Sequence, residues 1–251
     1  MITQDRLPHT PWSDPALSRM PGMRPVDGSW IIVDEVYAAQ MTERARLLRE
    51  RRGDVLCALP QSEAVQAEVL EVVLAGLPQE FARDGPTVLR PDGACVTLDG
   101  APLEVAARLV QEDLLILERR QVGHVLTAGL LCFPASWTLA EKIGHPLDRI
   151  HAPVPDYDAD LAARVQRLFD RIPPGRAMWR ANALGYADAA LHQPRREIDR
   201  RAEPCEVRYL RSERQTVLRL PRTGAILFAV HSWVVPLDRL SAAQREGCPI
   251  T

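Results

Sequence analysis

The sequence predicts an α+β domain built on antiparallel strand pairs. Three observations point there. Two apolar runs, Leu114–Glu118 and His124–Phe133, are separated only by the polar loop Arg119–Gly123, which is the pattern of a hairpin. Three further strand-like runs lie towards the C-terminus, and between the two groups comes a helical, proline-rich middle. A chain of 251 residues that is 46% hydrophobic can also bury a sizeable core.

Taken in order, residues 1–34 are rich in Pro, Gly and Asp and are expected to form an irregular arm, with Trp12 and Trp30 as anchors and little chemistry. Residues 35–251 then form a single domain. Val36 to Arg51 reads as a helix on Tyr37, Met41, Leu47 and Leu48. Ser62 to Ala75 reads as a second on Val65, Val69, Val72 and Val73, with Ser62 as N-cap and Gly76 as its stop. Asp84 to Gly100 is turn-rich with room for one short hairpin, and Pro102 opens a helix to about Glu112. After the main hairpin, Pro134 stops the second strand because it has no amide proton to donate. Ala159–Ile172 is a helix on Leu161, Val165, Leu168, Phe169 and Ile172. Ala177–Leu184, Glu206–Arg219 with a bend, and Ala225–Val235 complete the strands.

Composition excludes several classes of function. Charges of 31 and 33 leave a net of −2 with no basic stripe, so the footprint of a nucleic-acid binder is missing. The five cysteines, at 57, 95, 132, 205 and 248, are odd in number and never in C-x-x-C spacing, which argues against a disulfide framework, a zinc site or an iron–sulfur cluster. The N-terminus lacks the apolar core of a signal peptide, and no apolar run approaches the roughly 20 residues that span a bilayer, so a cytoplasmic protein without membrane partners is expected. The signatures of a dinucleotide fold, a P-loop, a zinc protease and a nucleophile elbow are all missing.

The stretch Leu130–Pro155, LLCFPASWTLAEKIGHPLDRIHAPVP, holds two histidines, a lysine and four prolines. Gly144 and Pro146 break regular structure around His145, and Pro153 and Pro155 are expected to hold the chain extended after His151. A stiff loop holding an imidazole suits a ligand; the alternative is a histidine satisfied by a backbone carbonyl in a braced turn. On Arg211–Arg219, alternation puts Arg211, Glu213 and Gln215 on one face and Arg214, Thr216 and Leu218 on the other.

Phe133–Pro155, with Gln111-Glu112-Asp113 upstream and Arg211–Pro221 downstream, resembles the haem-dependent oxidative N-demethylase family over roughly Met20 to Leu240. The resemblance implies a PAS-like antiparallel sheet with N-terminal helices, binding haem b. His124, His145, His151 and His231, and the thiol of Cys132, are then candidate axial ligands. His151 is favoured because Ile150 and Ala152-Pro153-Val154-Pro155 make a stiff apolar wall, and its spacing from His145 argues against a bis-histidine site from one helix face. Lys142, Arg214 and Arg222 are the expected propionate cations, with solvated arginines as the alternative. Glu213 would pair with an arginine or attract an ammonium, and Trp179 and Tyr186 would wall a small cation or pack in the core.

The activity implied is oxidation of an N-methyl group of a small secondary amine, dimethylamine first, by dioxygen and two electrons. Formaldehyde and the primary amine would leave, and an NAD(P)H-linked flavin and iron–sulfur reductase would be the electron-supplying partner. A haem-binding PAS sensor, or a PAS-like protein without haem, is the rival reading.

Overall fold

The computed structural model describes residues 1–17, 20–154, 157–199 and 206–250. In chain order, β1 (Arg24–Pro25) is followed by α1 (Tyr37–Glu50), the short α2 (Arg52–Val55) and β2 (Leu56–Ala58). Next come α3 (Glu63–Gly76), three small strands β3 (Ala82–Asp84), β4 (Thr87–Leu89) and β5 (Cys95–Thr97), and α4 (Pro102–Ala107). The hairpin β6 (Asp113–Arg120) and β7 (Gly123–Leu130) leads through α5 (Leu147–His151) and α6 (Ala159–Arg171) to the last strands. These are β8 (Met178–Ala181), β9 (Leu184–Tyr186), β10 (Tyr209–Arg219) and β11 (Ile226–Pro236), followed by α7 (Ala242–Arg245).

The expected α+β class and its antiparallel pairing are borne out. The main sheet runs β1-β8-β10-β11-β6-β7-β2, with β9 also on β10, so the last long strand lies beside the first strand of the hairpin. The sheet has two apolar faces because its strands alternate. Leu114, Ile116, Leu218, Leu227 and Ala229 pack with Leu47 of α1 and with Val65, Val69 and Val73 of α3. Leu115, Leu117, Val217 and Ile226 pack instead with Leu139 and Leu147 of the middle segment and with Leu161, Val165 and Phe169 of α6. Gly129 allows this second layer to sit close, since a Cβ there would lie 2.8 Å from Leu139 Cδ1 and 3.0 Å from Leu115 Cδ2.

The helix α6 forms where expected, and its ends explain its limits. The Asp158 side chain accepts from Leu161 N at 2.7 Å at the N-terminus. At the other end Arg219 donates to the carbonyls of Ile172, at 2.8 Å, and Phe169. Ser62 stands before α3 as predicted but does not cap its backbone: its hydroxyl donates to Leu59 O at 2.6 Å and accepts from Gln66 Nε2 at 2.9 Å.

Other expectations change. The turn-rich Asp84–Gly100 region does hold the expected short hairpin, β4–β5, but β3 widens it to a three-stranded sheet. The run Ala177–Leu184 splits into β8 and the start of β9. Helix α4 ends at Ala107, because Gln111, Glu112 and Asp113 are drawn into a buried polar network. Gln111 bonds Asp34 and Gln40, Glu112 bonds Ile32 N and His231, and Asp113 bonds Arg44. Likewise β7 ends at Leu130 rather than Phe133, since the N–H groups of Cys132 and Phe133 turn to the Asp113 carboxylate, each at 2.8 Å. His151 closes a helix instead of preceding an extended run. Pro155 and Cys205, with the end of the charged Gln193–Pro204 segment, lie outside the described residues.

Among the described residues of the arm, only Arg24–Pro25 is strand, yet Leu7, Leu17, Trp30 and Ile31 are buried. Trp30 joins the α1/α3 core, and Trp12 packs on the cluster of Leu210, Trp233 and Val235. No helix among the described residues is long and apolar enough to cross a membrane.

Arg44 and Asp113 meet at 2.9 Å with side chains 0% and 1% exposed, and removing one partner of such a pair strands the other charge. Asp113→Ala should lower the unfolding free energy by about 3–5 kcal/mol in urea titration, because it leaves the Arg44 charge and the Cys132 and Phe133 N–H groups without their acceptor. A loss below about 1 kcal/mol from Asp113→Ala, the range of an exposed pair, would contradict this account of the core.

Candidate functional site

The middle segment leaves β7 at Cys132 and crosses the α6-side face of the sheet. Its turn at Ser136 takes a left-handed φ of 67°, and the Ser136 hydroxyl shares a hydrogen bond with the Tyr186 hydroxyl at 3.2 Å. Further along, His151 ends α5 with Nδ1 2.8 Å from Leu147 O, one helical turn back. A carbonyl only accepts, so Nδ1 carries the proton and Nε2 keeps its lone pair. No partner engages Nε2 among the described residues. The ring stacks on Tyr157 at 4.3 Å and 16°. Burial, reinforced by the charges of Lys142 and Arg180, holds the His151 pKa below its ordinary value despite the Leu147 hydrogen bond, so the ring is neutral.

Facing it from the sheet is a run of polar side chains on β8, β9 and β10. Arg180 donates to Gln215 Oε1 at 3.0 Å, and burial lowers its pKa. Its Nε has no partner, and no carboxylate lies within 4.0 Å of the guanidinium among the described residues. Glu213, of the same strand parity as Gln215, accepts from Asn182 Nδ2 at 3.1 Å and lies 3.6 Å from Arg211 Nη2. Burial raises the Glu213 pKa, against the opposing effects of Arg211 and Asn182. Arg211 stacks over the Tyr186 ring at 5.8 Å and donates to Leu191 O at 2.9 Å and Phe133 O at 2.5 Å.

The sequence-predicted residues therefore divide. His151, Glu213 and Tyr186 fall on one face of the sheet. Lys142 lies with them, but its Nζ is engaged by Ile150 O at 2.6 Å and Glu197 Oε1 at 2.5 Å, so it braces α5 rather than standing free for an anion. Trp179 and Arg214 stack on each other at 4.9 Å, beside His9, on the opposite face. Arg222 is 59% exposed and pairs with Glu71 of α3 at 2.8 Å. The three predicted propionate cations thus sit at three separate places. Arg180 is the cation that sequence reasoning missed; its signal was a lone charge inside the apolar run Ala177–Leu184.

The other predicted ligands are poorly suited. His145 is exposed. Gln166 Nε2 donates to His124 Nδ1 at 2.6 Å, so the neutral ring carries its proton on the buried Nε2. Burial pushes the Cys132 thiol up to about 12, keeping it protonated. His231 lies 3.2 Å from both Asp34 and Glu112. Here the arm supplies a buried partner, through Asp34.

Clefts of about 570 Å³ along Glu43, Arg46 and Asp188–His192 and about 340 Å³ along Arg119, Tyr157 and Gln166 are not lined by His151, Arg180 or Glu213. The site is defined by its donor set. That donor set fits a haem: a neutral imidazole with one nitrogen anchored and one free, a half-buried guanidinium with no carboxylate partner, and the apolar side chains of Leu139, Leu147 and Ile150. Sheltering the Arg180 Nε without a partner is costly, so Arg180 suits an anionic group.

Fold and site define a class, an antiparallel α+β protein with a buried polar site between its sheet and the segment crossing one face. The family model for haem-dependent oxidative N-demethylase, alpha subunit-like, matches residues 22–248, and the chain belongs to that family.

His231 carries a pH prediction. Burial alone would lower its pKa, but the hydrogen bonds to Asp34 and Glu112 outweigh burial and raise it from 6.5 to about 9. A raised folded pKa gives stability that is fully present below 6.5 and lost as pH rises through about 9. Wild-type unfolding midpoints should fall across that window, whereas those of His231→Gln should be lower at neutral pH and flat across it. A wild-type midpoint that stays level between these pH values would contradict the assignment.

Proposed function

We propose that this chain binds haem b through His151 Nε2 and oxidatively demethylates a small secondary N-methylamine, with dimethylamine the first candidate. The observation that carries the reading is the His151 imidazole, tied at Nδ1 to Leu147 O and free at Nε2, with the unpaired Arg180 guanidinium near it. The PAS-like reading is supported by the sheet order, in which the hairpin β6–β7 is joined by β11, β10 and β8 and the middle segment covers one face.

When bound, haem supplies a redox-active iron at which dioxygen can be reduced. The chain's own residues supply the rest. His151, held in one tautomer by its Leu147 hydrogen bond, would hold the iron through Nε2. Arg180 would pair with a propionate, and the aliphatic wall would exclude water. A dialkylammonium needs an acceptor for its N–H groups and a small apolar or aromatic enclosure. Glu213 provides the carboxylate, held at Oε2 by Asn182, and Tyr186 the ring; Trp179 lies on the other face and takes no part. The balance is one N-methylamine, dioxygen, two electrons and two protons, giving the demethylated amine, formaldehyde and water. The electrons come from a separate NAD(P)H-linked flavin and iron–sulfur reductase.

Two measurements test this reading. With dioxygen and an electron source, holoprotein should release formaldehyde from dimethylamine in step with oxygen consumption, and Glu213→Gln should lower kcat/KM by at least about tenfold, the scale of losing one charged partner. Reducible haem with no formaldehyde from dimethylamine, trimethylamine or monomethylamine would instead assign a non-catalytic haem protein. Separately, Arg180→Ala should lower haem occupancy, read from the Soret band per protein, while Arg214→Ala and Arg222→Ala should not. Equal occupancy in all three variants would move the propionate site elsewhere.

A further inference from the structure

We propose that Glu197 is a positioning residue for His151, a latch reaching α5 from a segment remote in sequence; this rests on the reading of His151 as the axial donor. Residues 193–199 lie beside the middle segment at two places. Gln193 donates its N–H to Pro134 O at 3.2 Å and accepts from Ser136 N at 3.0 Å. Four residues on, Glu197 N donates to the Glu141 carboxylate at 3.0 and 3.2 Å. The Glu197 carboxylate accepts from Lys142 Nζ at 2.5 Å and from both terminal nitrogens of Arg149 at 3.1 and 3.0 Å.

These contacts converge on α5. Arg149 is part of the helix, and Lys142 Nζ also donates to Ile150 O at 2.6 Å, one residue before His151. A helix of five residues with no side-chain cap does not hold itself in place, because so short a helix does not form alone in water. Its orientation, and with it the direction of His151 Nε2, depends on what grips it from outside. The Leu147 carbonyl and the Tyr157 ring set the imidazole relative to α5. Glu197 sets α5 relative to the rest of the middle segment. Lys142 is 6% exposed and Glu197 24%, so the link is sheltered, whereas its Arg149 arm is 43% exposed. Loss of the latch frees α5 locally, so it should appear in the position of the ligand that α5 carries.

The test measures haem transfer to excess apomyoglobin from wild type and Glu197→Ala, and repeats the comparison in His151→Gly protein loaded with haem and free imidazole, where the ligand no longer hangs on α5. In the His151 background Glu197→Ala should speed transfer by at least about tenfold, the lower end for losing an outer-shell partner. In the imidazole-loaded background Glu197→Ala should leave the transfer rate unaltered. Equal acceleration in both backgrounds, or none in either, overturns the latch. If His151→Gly without imidazole retains haem as wild type does, the ligand assignment itself fails, and the latch with it.

Discussion

Asp113 sits where three parts of the molecule have to agree, and its carboxylate joins all of them. One oxygen faces the Arg44 guanidinium of α1, and the two together accept the N–H groups of Cys132 and Phe133 as the chain leaves β7. A helix on one face of the sheet, the first strand of the hairpin and the start of the site-bearing segment are thereby fixed by one buried carboxylate. Arg211 grips the same turn from β10 through Phe133 O, and its next neighbour is Glu213. Because the interior has no water to substitute for a lost partner, these charges leave few arrangements for the segment that follows. The segment that carries His151 starts from that turn.

Much of the frame was legible in the sequence. Periodicity found α1, α3 and α6, and the apolar run Leu114–Glu118 found β6, since both signals depend on burial along one element. It failed where a side chain's partner was far away in sequence. Nothing local shows that Gln111, Glu112 and Asp113 would leave a helix for Asp34, Gln40, His231 and Arg44. The same holds for the end of β7, where Cys132 and Phe133 exchange strand pairing for a carboxylate.

The site shows the same division. His151 stood out through its proline-rich surroundings, and strand parity placed Glu213 and Arg214 on opposite faces of β10. Which face would meet the middle segment could not be read, because parity is silent on what each face packs against. Arg214 was therefore assigned to a site from which the sheet separates it, and Arg180 passed as an ordinary strand residue. Glu197 was lost for a related reason. A stretch dense in charge looks solvated whether or not one of its carboxylates is engaged by a lysine and an arginine.

The central claim is that His151 Nε2 donates to the haem iron. Resonance Raman spectra of the ferrous protein report an iron–imidazole stretch directly. That band should be present in wild type, His124→Ala and His145→Ala and absent from His151→Ala reconstituted with excess haem; its persistence in His151→Ala would contradict the account.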